Sequence, residues 1–145
     1  MTTAKDLSKE APRSPRDRIG DYALMARMID KGRASLSGTT GEYHFACPLD
    51  QMLFTYKGVQ GDDVKALLAS GATDDEVLAW FNGHGPAKSA DETKTWSASV
   101  EDYRPHDDPE KREWFDGECT GLGIDPEKST LFDYLETDDR VSFKK

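Results

Sequence analysis

The segment TDDEVLAWFNG, residues 73–83, decides the fold class. Thr73 is followed three residues later by Glu76, which is the spacing of a capping box, where each side chain accepts a hydrogen bond from a free backbone N–H group at the start of a helix. Apolar residues then recur at helical spacing as far as Phe81, and Gly83 marks a helix end. The segment therefore predicts a short helix with both ends specified.

Similar start and stop signals recur along the chain. Helix starts are predicted at Ser14, Pro48, Asp62, Thr73, Ser89, Asp108 and Asp125. The first helix extends to about Lys31 or Leu36, and the second ends before Gly58. The alternation of Tyr43 and Phe45 with more polar or smaller neighbours allows one short strand, Tyr43–Phe45. Without any alternating strand and helix pattern, these signals predict an all-α fold of six or seven short helices.

Chain length and composition predict one domain. A chain of 145 residues buries roughly 70% of its unfolded surface, which is enough for a core of its own. Residues 1–13 are polar and end in proline, so they are expected to form a flexible N-terminal arm. Residues 14–145 are expected to form a single compact globular domain. The mean hydropathy of -0.75 indicates a very polar surface.

Charge and apolar content argue against several classes of partner. The net charge is -9, and an acidic chain repels phosphate backbones, so no nucleic-acid partner is expected. Residues 1–33 are the exception, with eight Lys and Arg against five Asp and Glu. No apolar run approaches the roughly 20 residues of a membrane helix, so no membrane partner is expected. Two cysteines without a secretory signal favour a reducing, cytoplasmic location.

Cys47, in the stretch HFACPLD of residues 44–50, has three competing interpretations: a nucleophile, a buried structural residue and a metal ligand. With Pro48 as the first helical residue, Cys47 is the N-cap, where the partial positive charge of the helix favours a nucleophilic thiolate and His44 can serve as base. Asp50 opposes that thiolate, and cysteine is also a common buried residue. The spacing lacks the paired ligands of a zinc site, so no metal and no cofactor are expected.

One glycine-rich segment shows no pattern of a known binding site. The stretch NGHGPAK, residues 82–88, lacks the pattern of a phosphate-binding loop. It is interpreted as a helix end followed by a turn.

Charged residues on the apolar face of the first helix mark a second candidate site. At about 100° per residue, Asp30 and Arg33 fall inside an arc of apolar residues, while Arg27 and Lys31 lie on its flank. Asp30 can orient Arg33 toward an anionic ligand, the two can simply satisfy each other, or Gly32 can end the helix. The candidate ligand-binding residues are Arg27, Asp30, Lys31, Arg33, Glu42, Tyr43 and Asp50.

The order of these landmarks resembles a known family, the domain of unknown function 5069 family. The motifs that carry the resemblance are Pro12-Arg13-Ser14-Pro15-Arg16, Arg27-Met28-Ile29-Asp30-Lys31 with Arg33-Ala34, Gly41-Glu42-Tyr43, Cys47-Pro48-Leu49-Asp50, Leu131-Phe132-Asp133-Tyr134-Leu135-Glu136 and Asp138-Asp139. The resemblance implies a small, soluble, stand-alone bacterial protein. It implies no activity and assigns no chemical role to the motif residues.

Two functions are therefore expected, in order of preference. The first is a binding or interaction protein that holds a small anionic molecule or a partner near the first helix and residues 41–50. The alternative is a small cysteine-dependent enzyme with Cys47 as nucleophile and His44 as base. Self-association through the helices that carry tryptophan is a possible addition to the first, although Trp80, Trp96 and Trp114 are also ordinary core residues.

Overall fold

A computed structural model describes residues 4–143, which form seven α-helices and two short 3₁₀-helices. The α-helices are α1 (Met25–Ser37), α2 (Pro48–Lys57), α3 (Gly61–Ala69), α4 (Asp74–Gly83), α5 (Ala90–Glu101), α6 (Arg112–Leu122) and α7 (Leu131–Ser142). The 3₁₀-helices are Pro105–Asp107 and Pro126–Lys128. Within these described residues there is no sheet, only one isolated bridge between Ile19 and Tyr22. The predicted all-α single domain is confirmed.

Helix α1 lies at the centre of the molecule. Every residue from Met25 to Ala34 except Arg33 is buried, including the charged Arg27, Asp30 and Lys31. Helices α2, α3 and α4 pack their apolar residues against it in one core cluster. Buried members of this cluster are Tyr22, Met25, Met28, Ile29, Leu53, Phe54, Val64, Leu68, Ala72, Val77 and Phe81. Two smaller clusters join α5, α6 and α7 to the rest of the domain.

Gly32 allows α3 to approach α1 closely. A Cβ atom at Gly32 would lie 2.3 Å from Cδ1 of Leu68 and 3.1 Å from the ring of Phe45. Such distances are far inside van der Waals contact, so a larger residue would push the helices apart. Helix α1 continues through Gly32 to Ser37. Gly32 is therefore a packing residue and does not end the helix.

The strongest capping signals are confirmed. Thr73 and Glu76 form a reciprocal capping box at α4, and Ser89 and Glu92 form another at α5. Helix α2 begins at Pro48 after the N-cap Cys47 and ends at Lys57, with Gly58 as its C-cap, as the sequence predicts. The two capping boxes satisfy free backbone N–H groups with side chains of the first turn, so these helix starts are set locally.

The predicted start of the first helix at Ser14 is wrong. Ser14 caps only one turn, in which its Oγ accepts a hydrogen bond from the backbone N–H of Arg16 at 3.1 Å. Gly20 and Leu24 then adopt positive φ values of 57° and 72°. These left-handed conformations cannot continue a right-handed helix, so α1 begins at Met25.

Two other predicted starts and the predicted strand also differ from the structure. Asp108 caps a turn, and α6 begins only at Arg112. Asp125 caps a three-residue 3₁₀-helix, and α7 is capped instead by Thr130. Residues 43–45 form no strand and lie in a turn-rich connection, because no neighbouring strand is available to pair with them.

Residues 4–13, the described part of the predicted N-terminal arm, lie against the helices. Leu7 is 1% exposed, and its backbone N–H donates to the carbonyl of Thr39 at 2.8 Å. Residues 1–3 of the arm lie outside the described residues. Among the helices that the structure describes, none has the length and apolar character needed to span a membrane.

Candidate functional site

The four charged side chains of α1 reach four different parts of the fold. Each one pairs with an oppositely charged group from a different segment. The pairs are Arg27 with Asp139 of α7, Asp30 with Arg13 of the N-terminal segment, Lys31 with Asp50 of α2, and Arg33 with Asp74 of α4. Charges buried in this way are expensive unless they are paired, so α1 depends on all four segments.

Lys31 connects a buried ion pair to the thiol of Cys47. Its Nζ lies 2.9 Å from Oδ1 of Asp50, and the two side chains are only 3% and 1% exposed. The same Nζ donates a hydrogen bond to Sγ of Cys47 at 3.1 Å. A single ammonium group therefore contacts both a carboxylate and a sulfur atom.

Cys47 lies at the N-terminal end of α2. It is the N-cap of α2 in an extended conformation, and its side chain makes no capping hydrogen bond. The residue is partly exposed, unlike Cys119, which is buried. The preceding Ala46 has a positive φ of 60°, an uncommon conformation for a residue with a side chain. This turn directs the chain into α2 with Cys47 at its edge.

Asp50 holds the cluster together and also opposes a negative sulfur. Its Oδ2 accepts a hydrogen bond from the backbone N–H of Ala46 at 2.9 Å. Burial raises the pKa of Asp50, and the charge of Lys31 acts in the opposite direction. A carboxylate beside Lys31 competes with Cys47 for the ammonium charge. The sulfur therefore shares this charge with Asp50.

Arg27 and Tyr43 form a second polar group next to the first. The guanidinium of Arg27 donates to both oxygens of Asp139, at 2.7 and 3.2 Å. Tyr43 donates its hydroxyl to Oδ1 of Asp139 at 2.6 Å, and its ring lies 5.5 Å from the guanidinium carbon of Arg27. Burial, followed by the hydrogen bond to Asp139, raises the pKa of Tyr43. Tyr43 is therefore neutral and acts as a donor.

Asp30 and Arg33 are bound by separate partners rather than by each other. Arg13 donates to Asp30 from its backbone N–H at 2.8 Å and from its guanidinium at 3.0 Å. Arg13 and Arg33 both contact Asp74, at 2.9 and 3.0 Å. Burial opposes the ionisation of Asp74, but the two guanidinium groups prevail and lower its pKa. Two arginines and two aspartates thus balance in charge.

Arg33 nevertheless has one polar atom without a partner. Its Nε is buried and has no hydrogen-bond acceptor among the described residues. The other end of the guanidinium donates to the carbonyl of Ala72 at 3.0 Å. An open cavity of about 410 Å³ lies here, lined by Arg33, Thr73, Asp74 and Asp75.

The remaining candidate residues lie outside these contacts. His44 and Glu42 are exposed, and neither forms a hydrogen bond with the residues that the structure describes. The structure therefore brings together Arg27, Lys31, Tyr43, Cys47 and Asp50 at α1. It leaves His44 in solvent.

Sequence reasoning missed three partners of the α1 charges. Arg13 was placed in the polar arm, Asp74 lay within the capping box of Thr73 and Glu76, and Asp139 was named only among the motifs of the family resemblance. Each lies far from α1 in sequence, so only the tertiary fold brings it there. Their presence in the same motifs that carry the family resemblance was the one available signal for Arg13 and Asp139.

Cys119, the second cysteine, is buried. Burial raises the pKa of Cys119 to about 11, so this thiol stays protonated near neutral pH. Within residues 4–143 no group of three or more His, Cys, Asp and Glu side chains has the arrangement to hold a metal ion.

Comparisons with known proteins agree with the sequence resemblance. A search of curated proteins found no match to the chain. The model of the family described as Domain of unknown function (DUF5069) matches residues 9–141 of the 145 residues. This range includes every motif on α1, α2 and α7 discussed above. The chain therefore belongs to the DUF5069 family.

Proposed function

We propose that the protein acts through the thiol of Cys47, which attacks a small electrophilic molecule such as an activated acyl compound. The observation that carries this proposal is the 3.1 Å contact between Nζ of Lys31 and Sγ of Cys47. A cation beside a sulfur stabilises the thiolate, which is the nucleophilic form of cysteine. The N-terminus of α2 adds partial positive charge at the same point.

Lys31, and not His44, is the side chain that assists the sulfur in this proposal. Its ammonium group is held in place by Asp50 at 2.9 Å. Lys31 is therefore a positioning residue that stabilises negative sulfur and does not serve as a base. The proton of the thiol leaves to solvent, since Cys47 is partly exposed.

The chemical step follows from these roles. The thiolate sulfur forms a bond to the acyl carbon, and the leaving group departs with the electron pair of the bond that breaks. Water then attacks the thioester carbon, and the carbon–sulfur bond breaks with its electron pair going to sulfur. The products are the carboxylic acid, the restored thiolate and one proton, which leaves to solvent. The buried side chains of Lys31 and Asp50 are already in place before the step, so the site needs little reorganisation.

The test is alkylation of the native protein with iodoacetamide at neutral pH, with each cysteine quantified by mass spectrometry. We expect Cys47 to react at least about tenfold faster than Cys119, because a thiolate is the reacting species and Cys119 is buried and protonated. Labelling of both cysteines only after unfolding would overturn the proposal.

A second candidate function is the binding of a small anion beside Arg33. The observation that favours it is the buried Nε of Arg33 without an acceptor, next to an open cavity. Asp74 and Asp75 also line this cavity and repel an anion, so this function ranks below the thiol function. Calorimetric titration with inorganic phosphate tests it, and binding that is abolished by Arg33→Lys would support it.

The proposed thiol function suits the cytoplasm of a bacterium. Both cysteines are free thiols, and a reducing compartment keeps them so. Self-association is a further proposal, for which the 49% exposure of Trp114 gives some support. Sedimentation at several protein concentrations tests it.

A further inference from the structure

The contact between Lys31 and Cys47 places a side-chain nitrogen directly beside a sulfur atom. Nζ of Lys31 lies 3.1 Å from Sγ of Cys47. Lys31 belongs to α1 and is buried, while Cys47 precedes α2 and is partly exposed. The lysine side chain has a flexible four-carbon stem. A covalent bond between the two atoms therefore requires only a small shift of this side chain.

Cys47 has no second thiol with which to form a disulfide bond. The chain contains two cysteines, and both lie among the described residues as free thiols. Cys119 is buried in the separate cluster that it forms with Phe115 and Tyr134. An oxidised cysteine, in the form of a sulfenic acid, condenses either with a thiol or with a nitrogen. At Cys47 the reaction with a thiol of the same chain is therefore closed.

The residue that follows Cys47 also closes the reaction with the next backbone nitrogen. A sulfenic acid can condense with a backbone N–H group to form a sulfenamide. Residue 48 is a proline, which has no backbone N–H group. Among the described side chains, Lys31 alone donates a hydrogen bond to the sulfur. Nζ of Lys31 is therefore the nitrogen that an oxidised Cys47 meets.

Asp50 can take up the proton that the amine of Lys31 must lose before it reacts. Its Oδ1 lies 2.9 Å from Nζ of Lys31. Its Oδ2 accepts a hydrogen bond from the backbone N–H of Ala46 at 2.9 Å, which fixes the carboxylate in this position. Burial raises the pKa of Asp50, and a raised pKa makes the carboxylate a better proton acceptor. The three side chains thus supply a sulfur, a nitrogen and a proton acceptor in direct contact.

We infer that Cys47 and Lys31 form a reversible sulfur–nitrogen bond when hydrogen peroxide oxidises the thiol. This inference rests on the reactive thiol proposed above. In the first step the thiolate attacks one oxygen of the peroxide, and the oxygen–oxygen bond breaks. The hydroxide that leaves takes up a proton from solvent and becomes water. Sulfur is thereby oxidised to a sulfenic acid, and the peroxide is reduced.

The second step joins the two side chains. Nζ of Lys31 gives one proton to Asp50, and its free electron pair forms a bond to the sulfur. The sulfur–oxygen bond breaks with its electron pair going to oxygen, which takes a second proton from the nitrogen and leaves as water. A thiol reductant reverses the reaction, since it restores the thiol and the amine and is itself oxidised to a disulfide. The bond blocks the nucleophile and protects its sulfur from irreversible oxidation.

The experiment treats the full chain with hydrogen peroxide, blocks the remaining thiols with iodoacetamide and digests the protein with trypsin without a reductant. Mass spectrometry then identifies the peptides that contain Lys31 and Cys47. We expect a linked peptide that is lighter by two hydrogen atoms than its two components together. We also expect no cleavage after Lys31 in this peptide, because its amine is modified. Treatment with dithiothreitol before digestion should remove the link.

Two variants and a chemical trap separate the two steps. Cys47→Ser keeps a small residue at the N-cap and should form no link. Lys31→Arg keeps the positive charge, but a guanidinium does not lose its proton and cannot attack the sulfur. We expect this variant to accumulate sulfenic acid at Cys47, detected as several-fold more dimedone adduct than in the unaltered protein.

The results that contradict the inference can be told apart from failure of the proposed thiol function. A dimedone adduct at Cys47 of the unaltered protein, without any linked peptide, would overturn the inference and leave the thiol reactive. Absence of both the adduct and the linked peptide would also overturn it. Alkylation of the same sample by iodoacetamide then shows whether the thiol itself is reactive. The measurement on the unaltered protein decides the matter even if Lys31→Arg does not fold.

Discussion

The ammonium group of Lys31 lies 3.1 Å from the sulfur of Cys47. This contact joins the central helix α1 to the start of α2, and it places a buried positive charge beside a partly exposed thiol. Asp50 completes the arrangement at 2.9 Å from the same ammonium group. The balance between these two negative partners of Lys31 sets the reactivity of the site.

Asp50→Asn shifts that balance toward the sulfur. The variant removes the negative charge that opposes a thiolate, so we expect faster alkylation of Cys47 at neutral pH. It also leaves Lys31 buried without a carboxylate, which destabilises the fold by about 3–5 kcal/mol. Site-resolved alkylation measures the first effect and urea unfolding the second. Unchanged labelling of Cys119 in the same samples shows that the variant is folded.

Asp139→Asn removes the partner of Arg27. The two side chains are 4% and 11% exposed, so an uncompensated buried charge remains, and we expect a loss of about 3–5 kcal/mol in the free energy of unfolding. The control is Arg18→Gln, which breaks the more exposed pair with Glu101 and is expected to lose less than about 1 kcal/mol. Equal losses in the two variants would contradict the assignment of Arg27 as a core charge.

Gly32→Ala tests the close packing of α1 and α3. The added methyl group meets Leu68, and we expect a destabilisation of about 1–3 kcal/mol. Gly117→Ala is the matched control, since Gly117 is also helical and has no atom within 4 Å of its Cβ position. There the alanine is expected to stabilise by about 0.5–1 kcal/mol. Thermal or urea unfolding should therefore give opposite signs for the two substitutions.

Lys57 makes the free energy of unfolding depend on pH in the alkaline range. Because folding lowers its pKa below the ordinary value of 10.5, the unfolded state binds more protons between the lowered pKa and 10.5. The contribution of Lys57 to stability therefore rises with pH across this window. Lys57→Met removes the titrating group. The free energy of unfolding of the variant minus that of the unaltered protein should therefore be largest below this pH window and should fall as pH rises through it. A pH-independent difference would contradict the lowered pKa.

Local signals in the sequence were sufficient for most helices. Three helix starts depend only on residues within one turn, and each was predicted correctly. They are the capping boxes at Thr73 and Ser89 and the start of α2 at Pro48. The Ser14 signal failed because Leu24, a residue without any propensity for positive φ, adopts that conformation in the folded core. Tertiary packing decided the start of α1, and no local pattern carries that information.

The candidate site was predictable only in part. The charges on α1 were identified because charged residues on an apolar face are unusual. The Cys47–Asp50 segment was identified because a cysteine at a helix N-cap is a candidate nucleophile. Their partners were not identified, since Arg13, Asp74 and Asp139 reach α1 only through long-range contacts. Lys31 was placed on the outer flank of its helix, yet it is 3% exposed. The helix is surrounded on more sides than one apolar arc indicates.

The most direct test of the account compares the alkylation rate of Cys47 in Lys31→Met and His44→Ala. We expect Lys31→Met to slow the reaction by at least about tenfold at neutral pH, and His44→Ala to leave it unchanged, because among the described residues Lys31 alone donates a hydrogen bond to the sulfur. The double variant Lys31→Met with Asp50→Asn removes both charges and covers the case in which the single variant unfolds. A slower reaction in His44→Ala with no change in the Lys31 variants would contradict the central role of Lys31.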